Sequence, residues 1–91
     1  MYAVQIKMRE GAKFSNNPKD IETIYVYENK KIQAFLVEDL YVYLKEMNND
    51  KIFLKDKNHY LVPAIAINGK KYIRSTPNES MIDGLMKLPR R

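Results

Sequence analysis

Two apolar runs joined by Asn68-Gly69 restrict the possible folds of this chain more than any other feature. Residues 64–74 read Ala64-Ile65-Ala66-Ile67-Asn68-Gly69-Lys70-Lys71-Tyr72-Ile73-Arg74. A two-residue type I′ turn needs positive φ at both central residues, and Asn-Gly accepts that at least cost. The expected product is a β-hairpin in which Ile67 faces Lys70, Ala66 faces Lys71, Ile65 faces Tyr72 and Ala64 faces Ile73. That register puts Ile65, Ile67, Lys70, Tyr72 and Arg74 on one face. Ala64, Ala66, Lys71 and Ile73 fall on the other, where small alanines beside Ile73 suit the close approach of a helix.

The rest of the chain supplies elements to pack against the hairpin. Tyr2, Val4, Ile6 and Met8 alternate with Ala3, Gln5, Lys7 and Arg9, the period of a strand with one buried face. Residues 11–20 read as a loop broken by Asn16-Asn17-Pro18, with Lys13 and Phe14 open to a partner unless Phe14 plugs the core edge. Residues 21–27 are β-branched and aromatic, and Glu28-Asn29-Lys30-Lys31 turns them into a short strand over residues 32–35. Ile24 and Val26 share one face of that unit; Thr23, Tyr25 and Tyr27 share the other, a tyrosine stripe if no helix covers it.

At residues 36–47 the period changes. Leu36, Leu40, Leu44 and Met47, with Val37, recur at helical spacing, while Glu38 and Asp39 occupy the first turn and Asn48-Asn49-Asp50 ends the helix. Tyr41 and Tyr43 flank the apolar stripe as boundary residues. Residues 51–55 read as another short strand, and Pro63 implies a sheet edge or a bulge in the strand after it. Thr76-Pro77-Asn78 stops the last strand, and residues 79–87 form a short helix weakened by Gly84, with Met81, Ile82, Leu85, Met86 and Leu88 as contacts. Arg90 and Arg91 trail as a frayed basic tail. The expected fold is α+β: a small, mostly antiparallel sheet, order roughly β-β-β-α-β-β-β, with one amphipathic helix packed on it and a short C-terminal helical turn.

At 91 residues the chain is expected to be a single domain, small enough that a partner or dimer interface would add to its stability. The 45% hydrophobic and 30% charged content is that of a folded protein. The sequence contains no cysteine, which removes disulfides and thiolate chemistry and fits a reducing compartment. Residues 1–7 alternate in polarity and do not read as a signal peptide, and no stretch has membrane-spanning length, so the chain reads as cytoplasmic. The net charge of +5 is uneven: residues 1–19 and 51–91 are basic, whereas residues 20–50 are acidic.

The C-terminal third carries a recognisable pattern. Gly69, Tyr72-Ile73-Arg74-Ser75, Pro77-Asn78 and then Asp83, Leu85 and Leu88-Pro89 resemble the C-terminal signature of a family of small uncharacterised bacterial and phage proteins, G-x-x-Y-[IL]-R-S-x-P-[DN] followed by [DN]-N-L-x-x-L-P. The match departs at Gly84, where that family has asparagine. The resemblance implies the same order of elements and a bacterial or phage origin, and no reaction.

Catalytic constellations are missing from the sequence. His59 is the lone histidine, Ser15, Ser75 and Ser80 lie in no nucleophile motif, and there is no P-loop or dinucleotide glycine pattern to hold a cofactor. Arg74, on a strand among apolar neighbours, needs an anionic or carbonyl partner; the expected one is Asp83 or the carbonyls near Pro77, which makes Arg74 a clamp for the C-terminal segment. Two functions remain. One is a non-enzymatic protein-binding domain, such as a phage-encoded inhibitor of a host or defence complex, using Tyr25 and Tyr27. The other is a nucleic-acid-binding module using Lys70, Lys71, Arg74 and the N-terminal basic strand for phosphates and Tyr72 or Tyr25 for stacking. Protein binding is the preferred expectation.

Overall fold

The computed structural model describes residues 1–46, 51–76 and 83–91. Strands β1 (Tyr2–Met8), β2 (Ile21–Glu28) and β3 (Lys31–Leu36) form an antiparallel sheet in that order. Helix α1 (Val37–Glu46) follows, and β4 (Tyr60–Ile65) with β5 (Lys71–Thr76) forms a second antiparallel pair. Single 3-10 turns stand at Pro18–Asp20 and Gly84–Lys87. The protein is therefore α+β.

The expected strand at residues 51–55 contracts to one bridging residue. Phe53 pairs parallel with Tyr2 and antiparallel with Tyr60, so it stitches the two sheets together. Its carbonyl accepts from the Ala3 N–H at 2.9 Å and its N–H donates to the Met1 carbonyl at 3.1 Å. The stretch cannot run on as a strand because the chain reverses at once: the Asp56 carboxylate accepts from the N–H groups of Asn58 and His59, and Lys57 takes positive φ.

The two-residue type I′ turn expected at Asn68-Gly69 occurs instead in the first hairpin. Asn29 and Lys30 both have positive φ and link the directly paired Glu28 and Lys31, so the two-residue type I′ turn is here. At the 68–69 turn only Gly69 has positive φ. Ile65 pairs with Lys71 rather than with Tyr72, and the loop is three residues, with Gly69 N–H donating to the Ala66 carbonyl and Ala66 N–H to the Lys70 carbonyl. This is a type I turn closed by a glycine bulge, and the Asn68 side chain accepts from the Lys70 N–H. The slip of one residue re-sorts β4: Leu61, Pro63 and Ile65 share a face with Lys71, Ile73 and Ser75, while Val62 and Ala64 lie with Tyr72 and Arg74. Ala64 is thus not beside Ile73 facing the helix, as the two-residue loop required.

A bulge also breaks the simple alternation of β1. Ala3 pairs with Val26 and Gln5 with Tyr25, leaving Val4 as the extra residue. Ala3, Ile6 and Met8 are the buried residues, and Tyr2 and Val4 are only half-buried.

The core lies between the inner face of the first sheet and α1. Ile6, Ile24 and Val26 meet Val37, Leu40 and Tyr41, and Ile52, Leu61, Ile73 and Leu85 close it from the second sheet and the C-terminal turn. Fully burying an aliphatic side chain is worth about 1.5–3 kcal/mol, so these residues dominate stability. The helical stripe keeps Val37, Leu40 and Leu44 of the expected set and adds Tyr41, which is buried rather than at the boundary. Leu36 ends β3 instead and is exposed. The expected helix end at residues 47–50 and the helical stretch at residues 79–82, with Met81 and Ile82, lie outside the described residues.

Candidate functional site

The C-terminal segment is clamped through Asp83, whose partner is Ser75 rather than Arg74; the carbonyls near Pro77, the other expected partner of Arg74, lie outside the described residues. The buried Asp83 carboxylate accepts from the Ser75 N–H at 3.0 and 3.1 Å, from the Ser75 hydroxyl, and from the Leu85 N–H at 2.9 Å. Ser75 shares its face with Ile73, so its buried polar groups need such a partner. Arg74 lies on the opposite face, half-buried, and no described hydrogen bond or ion pair engages it. The signal that sequence reasoning passed over was the alternation itself: if Ile73 points inward, Ser75 does too. At Gly84 the fit is close, since a Cβ there would sit 3.0 Å from Leu54 Cδ1.

Nor does the tail fray. Ile6 N–H donates to the Pro89 carbonyl and Arg91 N–H to the Ile6 carbonyl, so the tail runs parallel to β1. The Arg90 guanidinium binds the carbonyls of Lys13 and Met86. The Arg91 guanidinium lies 4.4 Å from the centre of the Tyr25 ring, with its Nε donating to Gln5.

The basic hairpin is similarly engaged. Lys70 Nζ donates to the Lys19 carbonyl at 2.7 Å, and Lys19 in turn lies over the Tyr72 ring. Lys71 projects from the other face and lies over Tyr41. Lys70, Tyr72 and Arg74 therefore share a face as expected, and Lys71 does not join them. Under this hairpin the Asp20 carboxylate holds the loop of residues 9–20, accepting from Ser15 Oγ at 2.7 Å and Arg9 Nε at 3.0 Å. The Ser15 hydrogen bond, then the Arg9 charge, hold the Asp20 carboxyl below the ordinary range despite some desolvation.

An open groove of about 640 Å³ runs between this hairpin and the start of α1. The cations Arg9, Lys70 and Lys71 line it together with the carboxylates Glu22, Glu38 and Asp39, so its charge is balanced and does not select an anion.

The outer face of the first sheet is different. Register places Gln5, Thr23, Tyr25, Tyr27, Ile32, Ala34 and Leu36 on it. Tyr25 is 8% exposed beneath Arg91, so the expected tyrosine stripe is half closed, by the tail rather than by a helix. Tyr27, Ile32 and Leu36 remain open at 41%, 55% and 52%, with exposed Ala34 between the last two. Phe14, in the loop of residues 9–20, is 87% exposed and is not a core plug.

His59 Nδ1 pairs with Asp56 Oδ2 on the surface. The Asp56 carboxyl is held low chiefly by the His59 and Asn58 N–H groups that close the turn, so the pair serves the turn's geometry. Among the described residues no three histidine, cysteine or acidic side chains come together in a metal-holding group, and no helix is long and apolar enough to cross a membrane. No protein-family model, curated protein or solved structure matches this chain.

Proposed function

We propose that this protein is a non-enzymatic binding protein whose partner is another protein, held on the outer face of the three-stranded sheet. One observation carries this reading: Tyr27, Ile32, Ala34 and Leu36 form a contiguous exposed apolar surface on two paired strands. Water-exposed apolar side chains gathered on one rigid face favour a protein surface that removes them from solvent. Arg91 beside them adds a cation fixed by Tyr25 and Gln5. The fitting partner offers apolar side chains to Ile32 and Leu36 and a carboxylate to Arg91.

The nucleic-acid reading has less support. Base stacking needs a free aromatic face, and Lys19 lies over the Tyr72 ring while Arg91 covers Tyr25. Affinity capture from native lysate tests the choice. The wild-type chain is expected to retain a stoichiometric protein, the double variant Ile32→Asp/Leu36→Asp to lose it by about tenfold or more, and Lys70→Ala/Arg74→Met to keep it. Capture that survives the first variant and fails with the second, or tight salt-sensitive binding of labelled oligonucleotides, would move the function to the basic hairpin.

A further inference from the structure

We propose that the outer edge of β3, which no described backbone meets, pairs with β3 of a second copy of this chain, antiparallel about a two-fold axis at Ala34, so that two copies share one continuous sheet. The inference concerns the edge of the sheet and does not depend on which protein the outer face holds.

The direction of the backbone groups comes first. Glu28 and Lys31 flank a two-residue turn and form a hydrogen-bonded pair, and from there the ladder alternates. Lys31, Gln33 and Phe35 therefore point their N–H and C=O groups at β2. Those of Ile32 and Ala34, with the N–H of Leu36, point outward, and no described backbone group meets them. A bare edge of this kind is a template for another strand, and proteins that keep such an edge solitary guard it with proline, a bulge or inward-pointing charge. β3 has no proline and no bulge, and its one charge, Lys31, stands at its end.

The register follows. Two copies turned about an axis perpendicular to the sheet keep their outer faces on one side, so facing residues must belong to the same face. Centring on Ala34 meets that condition: Ala34 pairs with Ala34 and exchanges both backbone bonds, while Ile32 faces Leu36 at both ends. The small Ala34 at the axis lets the flanking Ile32 and Leu36 side chains of both copies close over it.

Charge selects a second copy over an arbitrary strand. Lys30 and Lys31 precede the outward-pointing part of β3, and Glu38 and Asp39 follow it in the first turn of α1. Among the described residues none of these four side chains makes an ion pair within the chain. Antiparallel self-pairing brings the lysines of each copy to the acids of the other, twice over, whereas a parallel arrangement would set like against like.

Sedimentation equilibrium from about 1 μM to about 1 mM decides the matter. The wild-type mass is expected to rise from the 10.8 kDa monomer toward twice that value. Ala34→Pro removes only an outward N–H and is expected to leave a folded monomer throughout. Should that variant fail to fold, charge exchange still discriminates: Lys30→Glu/Lys31→Glu and Glu38→Lys/Asp39→Lys are each expected to stay monomeric alone and to pair when mixed. A wild-type chain that remains at monomer mass overturns the proposal, as does a dimer indifferent to both Ala34→Pro and the charge exchange. A monomer that still captures a protein through Ile32 and Leu36 removes the dimer and leaves the binding function standing; a β3 dimer that captures nothing does the reverse.

Discussion

Along β1 the outer edge of the three-stranded sheet is met by Phe53 beside Tyr2 and Ala3 and by residues 89–91 beside Ile6, whereas along β3 the opposite edge meets no described backbone. Both strands come from the same sheet and have comparable length, so local propensity does not separate them. The difference is what the chain sends back. Residues 51–55 and the C-terminal segment return to β1 because their apolar residues, Ile52, Leu54, Leu85 and Leu88, share the core it lines. No described segment returns to β3, and its side chains are exposed apart from the half-buried Phe35. Stability is concentrated on the closed side and unused binding capacity on the open one.

The strongest way to break the closed side is to remove its carboxylate. Asp83→Ala leaves the Ser75 N–H and hydroxyl buried without partners and is expected to cost about 3 kcal/mol or more, read from urea denaturation. A loss below about 1 kcal/mol would mean that the C-terminal segment is not held there. Next comes a matched pair of prolines. Ala3→Pro deletes the N–H that Phe53 uses and is expected to cost about 2 kcal/mol, while Ala34→Pro, on the open edge, is expected to cost less than about 1 kcal/mol in the monomer. Equal losses would erase the contrast between the edges.

Arg74→Met is a smaller test. With no described bond to lose, it is expected to shift stability by no more than about 0.5 kcal/mol. A large loss would return Arg74 to the role of clamp that the sequence suggested for it.

The smallest effect is confined to the loop of residues 9–20. The Asp20 pKa is lower in the folded chain than in the unfolded one, so its contribution is complete above the ordinary carboxylate value and is lost as pH falls through the lowered one. Protection of the residue-15 amide, its exchange rate taken relative to the intrinsic rate at each pH, is expected to fall only in acid, below about pH 4, with Ser15→Ala moving the onset to higher pH. Protection unchanged by Ser15→Ala would show that the hydroxyl does not hold Asp20.

Much of the architecture was legible. Period-two alternation placed β1, β-branched and aromatic content placed β2 and β3, the change of period placed α1, and Asn29-Lys30 was recognisable as a turn. Of the candidate site residues, Tyr27 lies on the open face, and Lys70, Tyr72 and Arg74 share a face with Lys71 on the other, as alternation required, but Tyr25 is covered. The covering of Tyr25 comes from the returning tail, whereas the shifted register of β4 and β5 has a different origin. Asn68-Gly69 tolerates both a two-residue and a three-residue loop, and the choice depends on which residues of β4 the core buries. Leu61 is buried opposite Ser75, and that demand sets the register.

By itself, then, the sequence determined the α+β class, the order of strands and helix, the absence of cysteine chemistry and the positions where the chain turns. These follow from side-chain period and from the φ preferences of single residues, which need no distant partner. Tertiary structure alone decided that Ser75 rather than Arg74 takes Asp83, that Arg91 covers Tyr25, that Phe53 joins two sheets, and that β1 is met by returning backbone while β3 meets none among the described residues. Each of these is a contact between residues far apart in the chain, and it exists because burial of the shared core brings those residues together.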